Sequence, residues 1–226
     1  MINPFSILGK RVLVVGEESA LNAVLVDHLS NLGADVVVSR TNTVAQVETD
    51  ISQLSAGGAF DGFVFATMHS DFRPIKFLKP EIVAESINDN FALFIESVRS
   101  LLKGHLLRDG ASIVAMSSIS SFRAQKTKTA FCAAKAALDS AVRCLALELG
   151  DKGIRVNSVQ KGATDADFSK EHIQTVTVLN GNATEKKQVL RTAKAEEIVN
   201  AIAFLLSDAT PTMTGTSIVV DGGYTL

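Results

Sequence analysis

The chain has 226 residues, of which 46% are apolar and 20% charged, and its formal net charge is −2 at pH 7. This is the composition of an ordinary globular protein, and the small negative charge argues against the basic surface typical of nucleic-acid-binding proteins. No apolar stretch is long enough to span a membrane, and no basic region followed by an apolar run marks a secretory signal. We therefore expect a protein of the cytoplasm that contacts neither nucleic acid nor membrane.

Predicted strands and helices alternate along the chain. Residues 10–16 (KRVLVVG) predict a buried strand, after which apolar residues recur at helical spacing from Leu21 to Leu32. A second strand over 36–39 and a short third strand ending near Asp50 and Ile51 follow. The remaining predicted elements are, in order, a strand over 60–66, a helix over 80–107, a strand over 112–117, a helix over 129–149, a strand over 155–159, a helix over 196–207 and a strand over 217–220.

This alternation predicts the fold class. Apolar strands separated by amphipathic helices indicate a parallel sheet covered on both faces, so we expect one doubly wound α/β domain over residues 1–226, with seven parallel strands. Residues 163–192 are polar and show little periodicity, which is typical of a lid or a mobile loop. Cys132 and Cys144 lie in one predicted helix, roughly 18 Å apart, and are therefore expected to be free thiols.

Several segments in the second half of the chain resemble the short-chain dehydrogenase/reductase family, a family with the Rossmann fold. Residues 113–118 (IVAMSS) resemble the family's strand that ends in a catalytic serine, and Lys135 stands where the family has a catalytic lysine. Residues 153–159 (GIRVNSV) and 220–223 (VDGG) resemble the following strand and the C-terminal motif. The resemblance spans essentially the whole chain and is closest to the ketoacyl-reductase-like members.

The resemblance implies a catalytic set in which one position is altered. In the family a tyrosine donates a proton during hydride transfer, a lysine four residues later lowers its pKa and holds the cofactor ribose, and a serine and an asparagine assist. The corresponding residues here are Phe131, Lys135, Ser118 and Asn90. Phenylalanine has no proton to give, and loss of a positioned acid typically costs about 10²–10⁴-fold in rate.

The resemblance also identifies a cofactor loop with altered residues. Of the family's three loop glycines only Gly16 remains, and Asn22 at the third position is expected to crowd the contact between helix and strand. Glu17 and Glu18 would face the pyrophosphate, and each carboxylate at ~4 Å from a unit negative charge costs about 1–4 kcal/mol. Ser19 completes the loop.

Two positions beyond the loop bear on which cofactor the chain would bind. Asp50 corresponds to the residue that meets the adenine, and Arg40 favours the 2′-phosphate of NADP over NAD. If the chain binds a cofactor at all, we therefore expect NADP.

Three functions remain open from the sequence. The first is a non-catalytic or impaired member, acting as a homodimer or homotetramer or as a subunit beside an active homologue. The second is an NADP-dependent reductase that uses another acid, such as His69 or a water held by Ser118 and Lys135, with residues 127–129 as weaker candidates. The third is a module that senses a dinucleotide or metabolite without turnover. Lys161 is interpreted as a solvated lysine rather than a new anion contact, and His28, His105 and His172 show no metal-ligand spacing.

Overall fold

The computed structural model describes residues 3–167 and 188–226. Within them the chain forms a sheet of six parallel strands in the order β2-β1-β3-β4-β5-β6. The strands are β1 (Arg11–Val15), β2 (Asp35–Ser39), β3 (Phe60–Phe65), β4 (Leu107–Ser118), β5 (Arg155–Lys161) and β6 (Ser217–Val220). The prediction of a doubly wound α/β sheet is confirmed.

Helices cover both faces of this sheet. They are α1 (Ala20–Asn31), α2 (Val44–Leu54), α3 (Pro80–Ile87), α4 (Leu93–Lys103), α5 (Thr129–Glu148) and α6 (Ala195–Leu206). One apolar cluster joins α1 and α6 to the sheet, and a second joins α2, α4 and α5 to its other face. In the described parts of the chain, no helix is both long enough and apolar enough to cross a membrane.

The prediction of a seventh strand was wrong: six strands are present in residues 3–167 and 188–226, and the segment expected to end as a strand at Asp50 and Ile51 is helix α2. Val44, Val47, Ile51 and Leu54 recur at three- and four-residue intervals, which is the helical period. Val47 and Ile51 are fully buried by this arrangement. Helix α2 therefore forms the connection that carries the chain from β2 past β1 to β3.

The predicted helix over 80–107 is also divided. A π-helical turn at Asn88–Ala92 separates α3 from α4, and the helix ends at Lys103, because β4 already begins at Leu107. Such turns insert one residue into the helical repeat and are frequent at functional sites.

Most of the polar segment that was expected to act as a lid, residues 168–187, lies outside the described residues. The chain on either side of it is joined where Thr164 pairs with Ala193.

Candidate functional site

The residues singled out from the sequence meet along the carboxyl ends of the central strands. Gly16 follows β1, Ala66 follows β3, Ser118 ends β4 and Lys161 ends β5. In a doubly wound sheet this edge is where ligands bind, at the point where the strand order reverses. Here the order reverses between β1 and β3, which lie side by side.

The loop after β1 is held together by Asn22. Its Nδ2 donates to the carbonyl oxygens of Glu17 at 2.7 Å and Ala66 at 3.0 Å, while Ser19 caps α1 by accepting from the Asn22 amide at 3.1 Å. The expectation that Asn22 would crowd the helix against the strand was therefore wrong, because the side chain is buried as a bridge between two loops. A Cβ at Gly16 would lie 2.8 Å from that Nδ2, which explains why this glycine remains.

Both loop carboxylates contact the protein itself. Oε1 of Glu17 accepts from the Met68 amide at 3.0 Å, which turns this side chain toward the loop after β3. Glu18 pairs with Arg40 at 3.0 Å in an exposed ion pair. Gly16, Glu17, Ser19 and Arg40 line an open cleft of about 490 Å³. The residues expected to read a dinucleotide are thus together, but Arg40 faces a glutamate.

Asp50 occupies a different setting from the one expected. It lies on α2 and accepts a hydrogen bond from the hydroxyl of Ser39, the last residue of β2. Its carboxylate therefore ties the connecting helix to the end of the edge strand. This position follows from the replacement of the predicted third strand by α2.

Phe131 and Lys135 lie one turn apart on α5 and are both buried, at 3% and 0% exposure. The Lys135 Nζ is 5.7 Å from the centre of the Phe131 ring and donates to the carbonyl oxygens of Thr67 at 2.6 Å and Met116 at 3.1 Å. Burial lowers the pKa of Lys135 from its usual 10.5 to about 7, against the opposing charges of Glu17 and Asp139. The amine thus bridges the ends of β3 and β4.

Ser118 and Asn90 are also placed at this edge. The Ser118 Oγ accepts from the Ser120 amide at 3.1 Å, so its hydroxyl proton remains available to a ligand. Asn90 is fully buried in the π-helical turn, where Nδ2 donates to the carbonyls of His69 at 2.8 Å and Ser86 at 3.1 Å. Asn90 thereby fixes the turn after β3 against α3.

Two lysines differ from what the sequence predicts: Lys161 was expected to be solvated, and Lys128 was a weak candidate for the substitute acid. Lys161 is only 5% exposed in its side chain and pairs with Asp167 at 2.6 Å, so its interpretation as a solvated lysine was wrong. The Lys128 Nζ lies 5.7 Å from the Phe131 ring centre and 4.5 Å from that of Phe72. Burial, and then the Lys161 charge, lower the pKa of Lys128 to about 8. The sequence pattern signals neither position: Lys161 is paired within its own loop, and Lys128 contacts Phe72 from a distant one.

Comparisons with known proteins agree with this architecture. The family model described as Enoyl-(Acyl carrier protein) reductase matches residues 7–225. The chain is 30% identical to a short chain dehydrogenase/reductase of Aspergillus oryzae, covering 98% of this chain and 97% of that protein. It is likewise 30% identical to the L-xylulose reductase of Homo sapiens, with 96% of each chain covered.

Among solved structures, a gluconate 5-dehydrogenase from Burkholderia cenocepacia in complex with NADP and tartrate superposes with a TM-score of 0.87. That likeness covers 98% of this chain and 97% of the other at 20% sequence identity, which supports the fold. The family match over nearly the full length places this α/β protein among the oxidoreductases. The chain belongs to the short-chain dehydrogenase/reductase family.

Proposed function

We propose that this chain is a family member without the ordinary carbonyl-reductase activity, and that it neither binds a nicotinamide dinucleotide tightly nor transfers hydride. The observation that carries the proposal is Phe131, a buried ring in the position where the family resemblance expects the proton donor. Lys135, which would tune that donor, instead donates to two main-chain carbonyls. The site keeps its packing without the group that performs the acid step.

The altered cofactor loop supports the same proposal. A helix N-terminus ordinarily attracts phosphate through its exposed amides and its dipole. Here Glu17 and Glu18 both line the cleft in front of α1, with the Glu18 carboxylate exposed and the Glu17 carboxylate turned toward the loop after β3. The guanidinium of Arg40, which would favour NADP, is paired with Glu18. A dinucleotide would have to displace that ion pair and approach two like charges.

For such a protein the role lies in its contacts with other subunits. We infer that residues 1–226 act as one domain that forms a homodimer or homotetramer through α4 and α5, or assembles with an active homologue. Leu147 on α5 is 86% exposed, which leaves a large apolar side chain on the outer face of that helix. Members of this family are typically oligomeric, and the apolar character of α5 agrees with such an interface.

Restoring the phenol alone is expected to be insufficient. Phe131→Tyr should leave NADPH-dependent reduction of a panel of ketones and aldehydes near background, because the loop still disfavours the cofactor. The triple variant Phe131→Tyr, Glu17→Gln, Glu18→Gln should reduce these carbonyls faster than the Glu17→Gln, Glu18→Gln variant. The expected ratio of the two rates is about 10²–10⁴, the usual contribution of a positioned acid. NADPH absorbance measures the rates.

Phe122→Tyr is the matched control, since it adds a phenol at a residue that is 56% exposed. It should change no rate. Robust reduction by the wild-type protein would overturn the proposal outright. Robust reduction by Phe131→Tyr alone would show that the loop binds cofactor despite its two glutamates.

A second candidate function is an NADP-dependent reductase with a substitute acid, and the position of Lys128 favours it. Its ammonium lies beside Phe131, and its pKa of about 8 allows proton transfer near neutral pH. His69, the substitute considered from the sequence, is exposed. In this case the wild-type protein would reduce a carbonyl, its rate would fall above about pH 8 as Lys128 loses its proton, and Lys128→Met would abolish the reaction.

A further inference from the structure

Three side chains with metal-binding atoms converge where the turn after β3 meets the end of α3. His69 lies in the turn after β3, Glu85 in the last turn of α3, and Asp89 in the π-helical turn. One ligand atom from each lies within 4.8 Å of the other two. Glu85 and Asp89 are four residues apart and share a helix face, while the hydrogen bond from Asn90 to the His69 carbonyl holds the histidine against that face.

The spacing is close to that of a metal coordination sphere. Zinc binds histidine nitrogen and carboxylate oxygen at about 2.0–2.2 Å, so two ligands on one ion are separated by no more than ~4.4 Å. A small side-chain rotation closes the remaining gap, and two of the three residues are exposed and therefore free to rotate. Three protein ligands leave a fourth position for water.

The ligand types select the kind of ion. Calcium and magnesium prefer sites made of oxygen alone, whereas an imidazole suits zinc and its first-row neighbours. No thiol takes part, since Cys132 and Cys144 both lie on α5. The set of one nitrogen and two oxygens therefore fits zinc better than the hard cations.

A second observation points to a cation at the same place. Asp89 interacts electrostatically with His69, Glu85 and Glu17, so a third carboxylate acts on this cluster. The other oxygen of Glu17, Oε2, is shielded from solvent and has no hydrogen-bond partner among residues 3–167 and 188–226. The same is true of Oδ1 of Asn90, a fully buried residue next to Asp89. Buried oxygens without donors are costly unless an ion or an ordered water satisfies them.

We propose that His69, Glu85 and Asp89 bind a divalent transition-metal ion, with zinc as the best fit. The three ligands are not themselves catalytic positions, although Asn90 adjoins Asp89 and holds the His69 carbonyl. The proposal goes beyond the proposed function, since it requires neither a dinucleotide nor turnover. The metal would lie between the turn after β3 and the end of α3, with its open position available to water.

The test is a zinc titration of the full chain after treatment with a chelator, followed by calorimetry, with cobalt absorbance as a report on ligand geometry. We expect one zinc ion bound with micromolar or tighter affinity. Asp89→Asn and His69→Ala should each weaken it at least tenfold. Two matched controls should leave it unchanged: Glu81→Gln, one turn earlier on α3, and His105→Asn, at an exposed histidine whose φ of +52° asparagine tolerates.

Circular dichroism melts establish that each variant is folded before its affinity is read. Millimolar affinity, or an equal loss in the ligand and control variants, would mean an adventitious ion on surface carboxylates and would overturn the proposal. Either result leaves the reductase assays above unaffected, because they depend on Phe131 and the loop.

Discussion

Replacing Lys135 with methionine should stabilise the folded protein most at pH 6 and progressively less as the pH rises toward 10. The buried ammonium has a pKa of about 7 in the folded protein and 10.5 when unfolded. Below pH 7 the folded state bears the full cost of a desolvated charge. Between about pH 7 and 10.5 the unfolded chain binds more protons than the folded one, so the wild-type protein gains stability with pH.

A shift of one pKa unit corresponds to about 1.36 kcal/mol. The difference in unfolding free energy between variant and wild type should therefore change by about 3–4 kcal/mol in favour of the wild type between pH 6 and pH 10. The carbonyls of Thr67 and Met116 lose their donor in the variant, which offsets part of the gain at every pH. Urea unfolding at a series of pH values measures the gap. Lys152→Met, at an exposed lysine, is the control and should show no such trend. A gap that is independent of pH would mean that Lys135 is not desolvated.

Removing the charge of both loop glutamates should strengthen NADPH binding at least tenfold. In Glu17→Gln with Glu18→Gln, the first amide can still accept from the Met68 amide, and the second frees Arg40 from its ion pair. Each carboxylate at ~4 Å from a phosphate charge costs about 1–4 kcal/mol, and 1.4 kcal/mol is a factor of ten in affinity. NADPH fluorescence gives the dissociation constant.

The part of the gain that comes from Glu18 should shrink with added salt, because that side chain is exposed on the open cleft. Glu81→Gln removes one exposed glutamate from α3 and should leave the affinity as it is. A double variant that binds NADPH no better than the wild type would place the two carboxylates away from the phosphates. The single variants separate the two effects. Glu17→Gln removes the charge of Glu17 alone, whereas Glu18→Gln also releases Arg40 from its ion pair.

The elements that carry Ser118, Phe131 and Lys135 could be predicted closely from the sequence, whereas the π-helical turn that carries Asn90 could not. The helix expected over 129–149 is α5, Thr129–Glu148, because its apolar stripe has a clear helical period and is long. Ser118 and Lys135 could be placed by their spacing from Phe131. The strand error at Asp50 was a misreading of the pattern, since Val44, Val47, Ile51 and Leu54 already have the helical period.

What the sequence did not provide depends on contacts between distant segments. In the sequence, nothing distinguishes Lys161 from a surface lysine. In the fold its side chain is 5% exposed and pairs with Asp167. The side chains of Glu17 and Asn22 point toward the loop after β3 because Met68 and Ala66 offer an amide and a carbonyl there. The joining of His69 to Glu85 and Asp89 likewise needs the π-helical turn, which no period in the sequence indicates.

A titration of the wild-type protein with NADPH and NADH, followed by cofactor fluorescence, decides whether the altered loop still binds a dinucleotide. The chain has no tryptophan and one tyrosine, so protein background is small. We expect no saturable binding of either nucleotide up to millimolar concentration, because the phosphates would approach Glu17 and Glu18. Saturable micromolar binding of NADPH, tighter than that of NADH, would contradict it and would identify Arg40 as part of a working cofactor site.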